Sequence, residues 1–202
     1  TGGTVVGRVV DAETGEPVAG ASAMSFGRSA GGGPYSAPRA LADGDGNFRL
    51  EGLPDALLTV QVSAQGGYDL KLISGVHVGE EQVVDVGDVR LTRSPDGQRR
   101  MNYSGVGMSL RRNGDKLLVQ GVFDGSPAAG LGLTAGTEIM AVNGTETVAL
   151  DLREAVELIR GESGTAVQLT VLAPGADYPE TVELERGDVS APMDGRGRPS
   201  PH

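Results

Sequence analysis

Ser104-Gly105-Val106-Gly107-Met108-Ser109-Leu110 opens the stretch that decides the fold, which runs on through Ser126-Pro127-Ala128-Ala129 and Val142-Asn143-Gly144 and closes on residues 152–160. A glycine-rich turn here feeds a strand with alternating apolar residues, and an amphipathic helix follows. Asp151 stands where it can cap that helix and Gly161 where it can end it. Asn113-Gly114 and Asn143-Gly144 are two-residue hairpin signals. They predict strands at residues 108–111, 116–122, 139–142 and 145–148, and residues 167–172 and 181–184 complete the sheet. A strand edge and a helix on either side of one glycine loop is the layout of a peptide groove.

Upstream of the loop the chain reads differently. Residues 4–10 are a β-branched strand, followed by the turn Asp11-Ala12-Glu13-Thr14-Gly15-Glu16-Pro17. Further strands are predicted at residues 18–25, 48–50, 57–64, 71–78 and 83–91, with residues 28–38 as a flexible loop around Gly31-Gly32-Gly33-Pro34. Short strands at this spacing suggest a small β-sandwich. Pro95, Gly97 and several charges mark a linker, so the expected division is residues 1–93, linker 94–100, residues 101–189, and a disordered tail at 190–202 rich in Pro, Gly and Arg.

At 202 residues there is room for two domains, each with its own core. Aromatics make up only 3% and glycines number 33, which favours turn-rich β domains packed with Val, Leu and Ile over a helix bundle. A formal charge of −10, acidic in both halves, argues against nucleic acid as a partner, because phosphate neutralisation needs a concentrated basic face. No apolar run reaches the roughly 20 residues that a membrane-spanning helix needs. The first residue is not Met, which reads as a mature or excised piece. Without cysteine there is no disulfide, thiolate metal site or cysteine nucleophile.

Gly105-Val106-Gly107-Met108, the run Ser126-Pro127-Ala128-Ala129 with Gly132-Leu133 and Gly136, and Val142-Asn143-Gly144 together resemble a bacterial PDZ domain. Glu154-Ala155-Val156 through Arg160-Gly161-Glu162-Ser163-Gly164-Thr165 is similar to the PDZ domain of C-terminal processing peptidases. Leu131 and Thr137 depart from that pattern, standing where Ala and Asp are usual. The first half resembles a carboxypeptidase regulatory-like, transthyretin-like domain through Gly7-Arg8-Val9-Val10-Asp11, Thr14-Gly15-Glu16-Pro17-Val18-Ala19-Gly20-Ala21 and Asp43-Gly44-Asp45-Gly46-Asn47-Phe48. These resemblances imply a mainly β, two-domain chain: a seven-stranded-type β-sandwich and then a PDZ-like α+β partly open barrel. They also imply an extracytoplasmic setting and, as partners, protein C-termini or extended peptides with hydrophobic ends.

By resemblance the peptide-binding residues are Gly105, Val106, Gly107, Met108, Ser109 and Leu110 on the loop and strand, with Leu152, Val156 and Ile159 on the helix. The N–H groups of Val106, Gly107 and Met108 would hold the terminal carboxylate, and Ala155 with Leu158 would face inward. Leu152 stands where many PDZ domains carry a His that bonds a Ser or Thr two residues before the ligand terminus, so an apolar side chain is expected there instead. The plainer reading of the glycines is a tight turn, and of the helical stripe a core face.

Other chemistry finds little footing. Asp43, Asp45 and Asn47 have the odd-position spacing of a calcium loop, but Phe48 and Pro54 stand where Gly and Glu are required, so a solvated turn is expected and no cofactor or metal. The histidines are His77 and His202 and the lysines Lys71 and Lys116, which assembles neither a Ser-His-Asp triad nor a Ser-Lys dyad. The reading is therefore a non-enzymatic binding module with a spacer domain. Its rivals are a substrate-recognition fragment of a protease and a structural or adhesive surface protein.

Overall fold

The computed structural model describes residues 2–28, 34–36, 39–194 and 199. It divides into two compact units, Thr1–Asn102 and Tyr103–His202. The chain is mostly strand, and among the described residues no sheet closes on itself.

In the first unit β1 (Gly3–Asp11) pairs antiparallel with β5 (Asn47–Leu53) and parallel with β8 (Val83–Leu91), making a three-stranded sheet. The second sheet runs β9-β7-β6-β2-β3, from β9 (Arg100–Gly105), β7 (Leu70–Val78), β6 (Ala56–Ser63), β2 (Ser22–Arg28) and β3 (Pro34–Ser36), with β4 (Ala40–Leu41) also on β2. Alternation decides the faces: Val5 and Val9 of β1, Phe48 and Leu50 of β5, and Leu58, Val60 and Val62 of β6 are all buried in one core. The strand expected at residues 18–25 lies later, at Ser22–Arg28, because Gly20 takes a φ of +70° and the N–H of Gly20 bonds the Ala42 carbonyl in a turn. Part of the expected loop, Pro34–Ser36, is a strand on β2, while residues 29–33 and 37–38 lie outside the described residues.

One buried carboxylate ties the ends of this sandwich together. Asp11 is 5% exposed and accepts from the Tyr68 hydroxyl at 2.7 Å, the N–H groups of Glu13 and Thr14, and Arg93 Nε at 3.1 Å. Arg93 also lies over the Tyr68 ring, 4.7 Å from its centroid. These bonds, led by the Tyr68 hydroxyl, hold the Asp11 carboxyl at about 2 against an ordinary 3.8. A second carboxylate, Asp69, accepts from Ser94 Oγ and from the Arg100 N–H at 2.9 Å. Residues 94–100, expected as a linker, are thereby held on the first unit.

The second unit is built on the sheet β10-β11-β12-β14-β15: β10 (Met108–Asn113), β11 (Lys116–Val122), β12 (Glu138–Val142), β14 (Ala166–Leu172) and β15 (Glu180–Glu185). The short β13 (Thr145–Glu146) pairs with β12 across Asn143 and Gly144, whose φ values of +49° and +81° are those of a tight hairpin. α1 (Pro127–Gly130) is capped by Ser126, and α2 (Leu152–Ile159) by Asp151 in a capping box with Glu154. Leu117, Val119, Ile139, Val167, Leu169, Ala155 and Ile159 fill the core. β16 (Gly187–Pro192) buries Ala191 completely, so residues 190–192 end a strand where composition alone suggests the start of a tail.

Because folding holds Asp11 below its unfolded value, its ionised form stabilises the native state above about pH 4, and that contribution is lost as the pH falls through about 2. Asp11→Asn should lower the melting temperature of the full chain near neutral pH, and the deficit should narrow as the pH approaches about 2. Thermal unfolding across that range decides it; a deficit independent of pH would remove the ionised carboxylate from the account.

Candidate functional site

The site begins with a backbone conformation. Gly107 has φ +78°, and a Cβ built on it would lie 2.1 Å from the Ser126 Cβ, so both the dihedral and the space demand glycine. The loop carbonyls are taken by the body of the unit: Gly107 O accepts from the Phe123 N–H at 2.9 Å and from Ser126 Oγ at 3.1 Å, and Val106 O from the Ala128 N–H at 2.8 Å. Ser126 thus caps α1 and braces the loop with one hydroxyl. Among the described residues neither the Val106 nor the Gly107 N–H donates a hydrogen bond.

Those donors stand at the head of a groove. β10 is the edge of its sheet, paired on one side with β11, and α2 packs beside it. Between them lies a cavity of about 230 Å³ lined by Val106, Gly107, Met108, Ser109 and Leu110 from the loop and strand, and by Val156, Ile159 and Arg160 from the helix end. Tyr103, Gln120, Phe123 and Pro199 complete it, Pro199 being bridged antiparallel to Met193.

Seven of the nine residues expected from the sequence line this cavity; Gly105 and Leu152 do not. A Cβ at Gly105 would lie 3.2 Å from the Tyr103 ring, so Gly105 backs the loop. Leu152, in the first turn of α2, is 38% exposed. The inward face also differs from expectation: Ala155 is fully buried, but its partner is Ile159 at 4% exposure, and Leu158 is 37% exposed. Four residues from Ala155 to Ile159 keep the two on one stripe, whereas Leu158 lies on the helix flank.

Arg160 is the cation that sequence reasoning passed over. Its guanidinium carbon lies 4.9 Å from the centroid of the Tyr103 ring, against the groove wall. Burial pushes the Arg160 pKa down from its ordinary value and pushes the Tyr103 hydroxyl up to about 12. The available signal was spacing, since Arg160 follows Val156 by four residues and so shares its stripe.

Two other features resolve into structure. Asp43 accepts from the N–H groups of Asp45 and Asn47 at 3.0 and 2.8 Å, so its carboxylate is occupied by its own turn and held below the ordinary range, chiefly by Asn47. A shallower hollow of about 560 Å³ on the β5-β1-β8 sheet carries Arg8, Arg49, Asp85 and Asp88. Arg8 there bonds the Asp45 carbonyl and Arg49 bonds Glu51, the pattern of a solvated sheet face.

Comparison with known proteins finds two families in succession along the chain. Residues 4–92 match the carboxypeptidase regulatory-like domain family and residues 91–172 the PDZ domain family. The chain carries a carboxypeptidase regulatory-like domain followed by a PDZ domain. A carboxyl-terminal-processing protease of a Picosynechococcus species is 34% identical over 89 residues, 43% of this chain and 22% of that protein. The processing protease CtpA of Bacillus subtilis is 30% identical over 112 residues, 53% of this chain and 24% of that protein. The chain therefore spans about a fifth to a quarter of these relatives, and what matches is the PDZ region. Among solved structures, the PDZ domain of the carboxy-terminal protease of Vibrio cholerae, in complex with a peptide, is 29% identical over 44% of this chain and 97% of that one, with a TM-score of 0.41.

Gly107→Ala meets both a left-handed dihedral and the Ser126 side chain, whereas Gly114→Ala, at φ +60° with nothing within 4 Å, meets only the dihedral. Gly107→Ala should therefore destabilise the protein in urea by more than the roughly 1–3 kcal/mol of a strained backbone alone, and Gly114→Ala by no more than that. Equal unfolding midpoints for the two variants would show that the loop yields.

Proposed function

We propose that the second unit captures the C-terminal tails of peptides or proteins by adding them as a strand to β10, and that the first unit is a spacer or accessory domain without catalysis of its own. The observation that carries this reading is the pair of N–H groups at Val106 and Gly107 without a partner among the described residues, next to an open strand edge and an apolar helix face. Backbone donors turned into a concavity suit an anion, and a free edge suits an extended chain. Met108, Leu110, Val156 and Ile159 supply an apolar wall for a hydrophobic terminal side chain. Arg160 adds positive charge at the same end, which matters in a chain whose formal charge of −10 would otherwise repel a carboxylate. Leu152 lies outside the cavity, one turn before Val156, and its apolar side chain offers no hydrogen bond to a Ser or Thr two residues from the terminus.

A second reading, the substrate-recognition part of a larger protease, is favoured by the kinship with processing proteases. The groove then performs the same capture and a catalytic domain elsewhere does the cleavage. On the resemblance to those proteins we place the chain outside the cytoplasm, in the periplasm, on the cell surface or secreted. No helix among the described residues is long and apolar enough to cross a membrane.

Peptides ending Φ-x-Φ-COOH should bind with a Kd of roughly micromolar size, and amidating the terminus should weaken binding about tenfold or more, the worth of charge-assisted hydrogen bonds. Val156→Asp should abolish binding while the melting temperature changes little, since Val156 lines the cavity and is only partly buried. Fluorescence anisotropy with free-acid and amidated peptides reads both, and equal affinity for the two forms would sink the carboxylate assignment.

A further inference from the structure

The C-terminus of α2 leaves carbonyl groups that the helix itself cannot satisfy. A single buried side chain takes two of them. Arg186, 8% exposed in the turn between β15 and β16, donates through Nε to Ile159 O at 2.9 Å and through Nη2 to Leu158 O at 2.9 Å. Its Nη1 reaches Ala166 O at 2.8 Å and Thr165 Oγ1 at 2.9 Å, so one guanidinium joins the end of α2 to the start of β14. The positive group also sits at the negative end of the helix dipole.

The residue fixed between these clamps is Arg160. Its N–H makes the last helical bond, to Val156 O at 2.9 Å, and its ψ of 168° turns the chain out of the helix. Next comes Gly161, where a Cβ would lie 2.9 Å from Arg186 Nε, so only a residue without a side chain passes over the guanidinium. Arg160 is thus held by the helix on one side and by the Arg186 brace on the other. From that base its side chain reaches over Tyr103 into the groove. A long, flexible side chain loses substantial rotamer freedom when ordered, and a fixed backbone origin reduces what remains to be ordered on binding.

We propose that Arg186 is a positioning residue for ligand capture: by binding the terminal carbonyls of α2 it aims Arg160 at the carboxylate end of the groove. The inference rests on the peptide-capture reading above. Arg186 does not line the cavity and acts through Arg160, so its effect belongs to the discrimination between free and blocked termini and not to affinity in general.

The test uses the full chain and the ratio of the Kd for an amidated Φ-x-Φ peptide to that for its free-acid form. Wild type should show a ratio of about ten or more, and Arg160→Met a ratio several-fold smaller. Arg186→Met should lower the ratio by about threefold or more, and adding it to Arg160→Met should lower it no further, because both act through one group. If Arg186→Met fails to fold, Gly161→Ala replaces it, since an added methyl crowds Arg186 Nε while both charges remain. That variant too should lose discrimination. A folded Arg186→Met, or in its place Gly161→Ala, that keeps the wild-type ratio overturns the proposal and leaves Arg186 a stability brace. A wild-type ratio of one instead removes the capture reading on which it rests.

Discussion

The second unit depends on a backbone conformation that only glycine accepts at one position. With Gly107 at φ +78° and Ser126 packed against it, the loop between β9 and β10 turns its carbonyls into the body of the unit, where Phe123, Ser126 and Ala128 take them. With those carbonyls turned inward, neither the Val106 nor the Gly107 N–H has a hydrogen-bond partner among the described residues, and both residues line the head of the groove. The reach of β10 as an open edge and the lean of α2 across it matter because that loop stands between them.

The same economy appears in how cations are used. Arg93 and Arg186 are both braces: the first meets a buried carboxylate and a ring face at the end of the sandwich, the second collects the carbonyls at the end of α2. Arginine suits both posts because its planar fork can satisfy several acceptors while remaining charged. Arg160 differs in resting on a ring at the groove wall. Glu157, three residues earlier, also acts on its charge, so the ring is not its sole neighbour.

The local code was legible in the sequence, and so were the elements that depend on it. Asn143-Gly144 turns the chain with φ values only such residues adopt readily, and Asp151 with Glu154 closes a capping box within one helical turn. β5 buries Phe48 and Leu50 and exposes Asn47, Arg49 and Glu51, an alternation visible along the chain. Each of these signals is complete within a few residues, so no knowledge of distant partners was needed to read it. The loop from Gly105 to Met108 belongs to the same class, because its demand is for a dihedral.

Only the tertiary structure decided which faces met. Ala155 pairs with Ile159 and not with Leu158 in the core, and Leu152 stays outside the cavity, because the tilt of an eight-residue helix on its sheet selects the buried stripe, and the sequence presents several apolar choices. Arg186 lies 27 residues from the Ile159 carbonyl it binds, and Arg160 reaches its ring partner Tyr103 from the far end of α2. Contacts of that span leave no periodic mark along the chain. β16 escaped composition for the same reason: its Pro and Gly content reads as loop, yet it is a strand that buries Val189 and Ala191. What can be satisfied locally is written in short motifs, and what must be satisfied at a distance waits for the fold to bring the partners together.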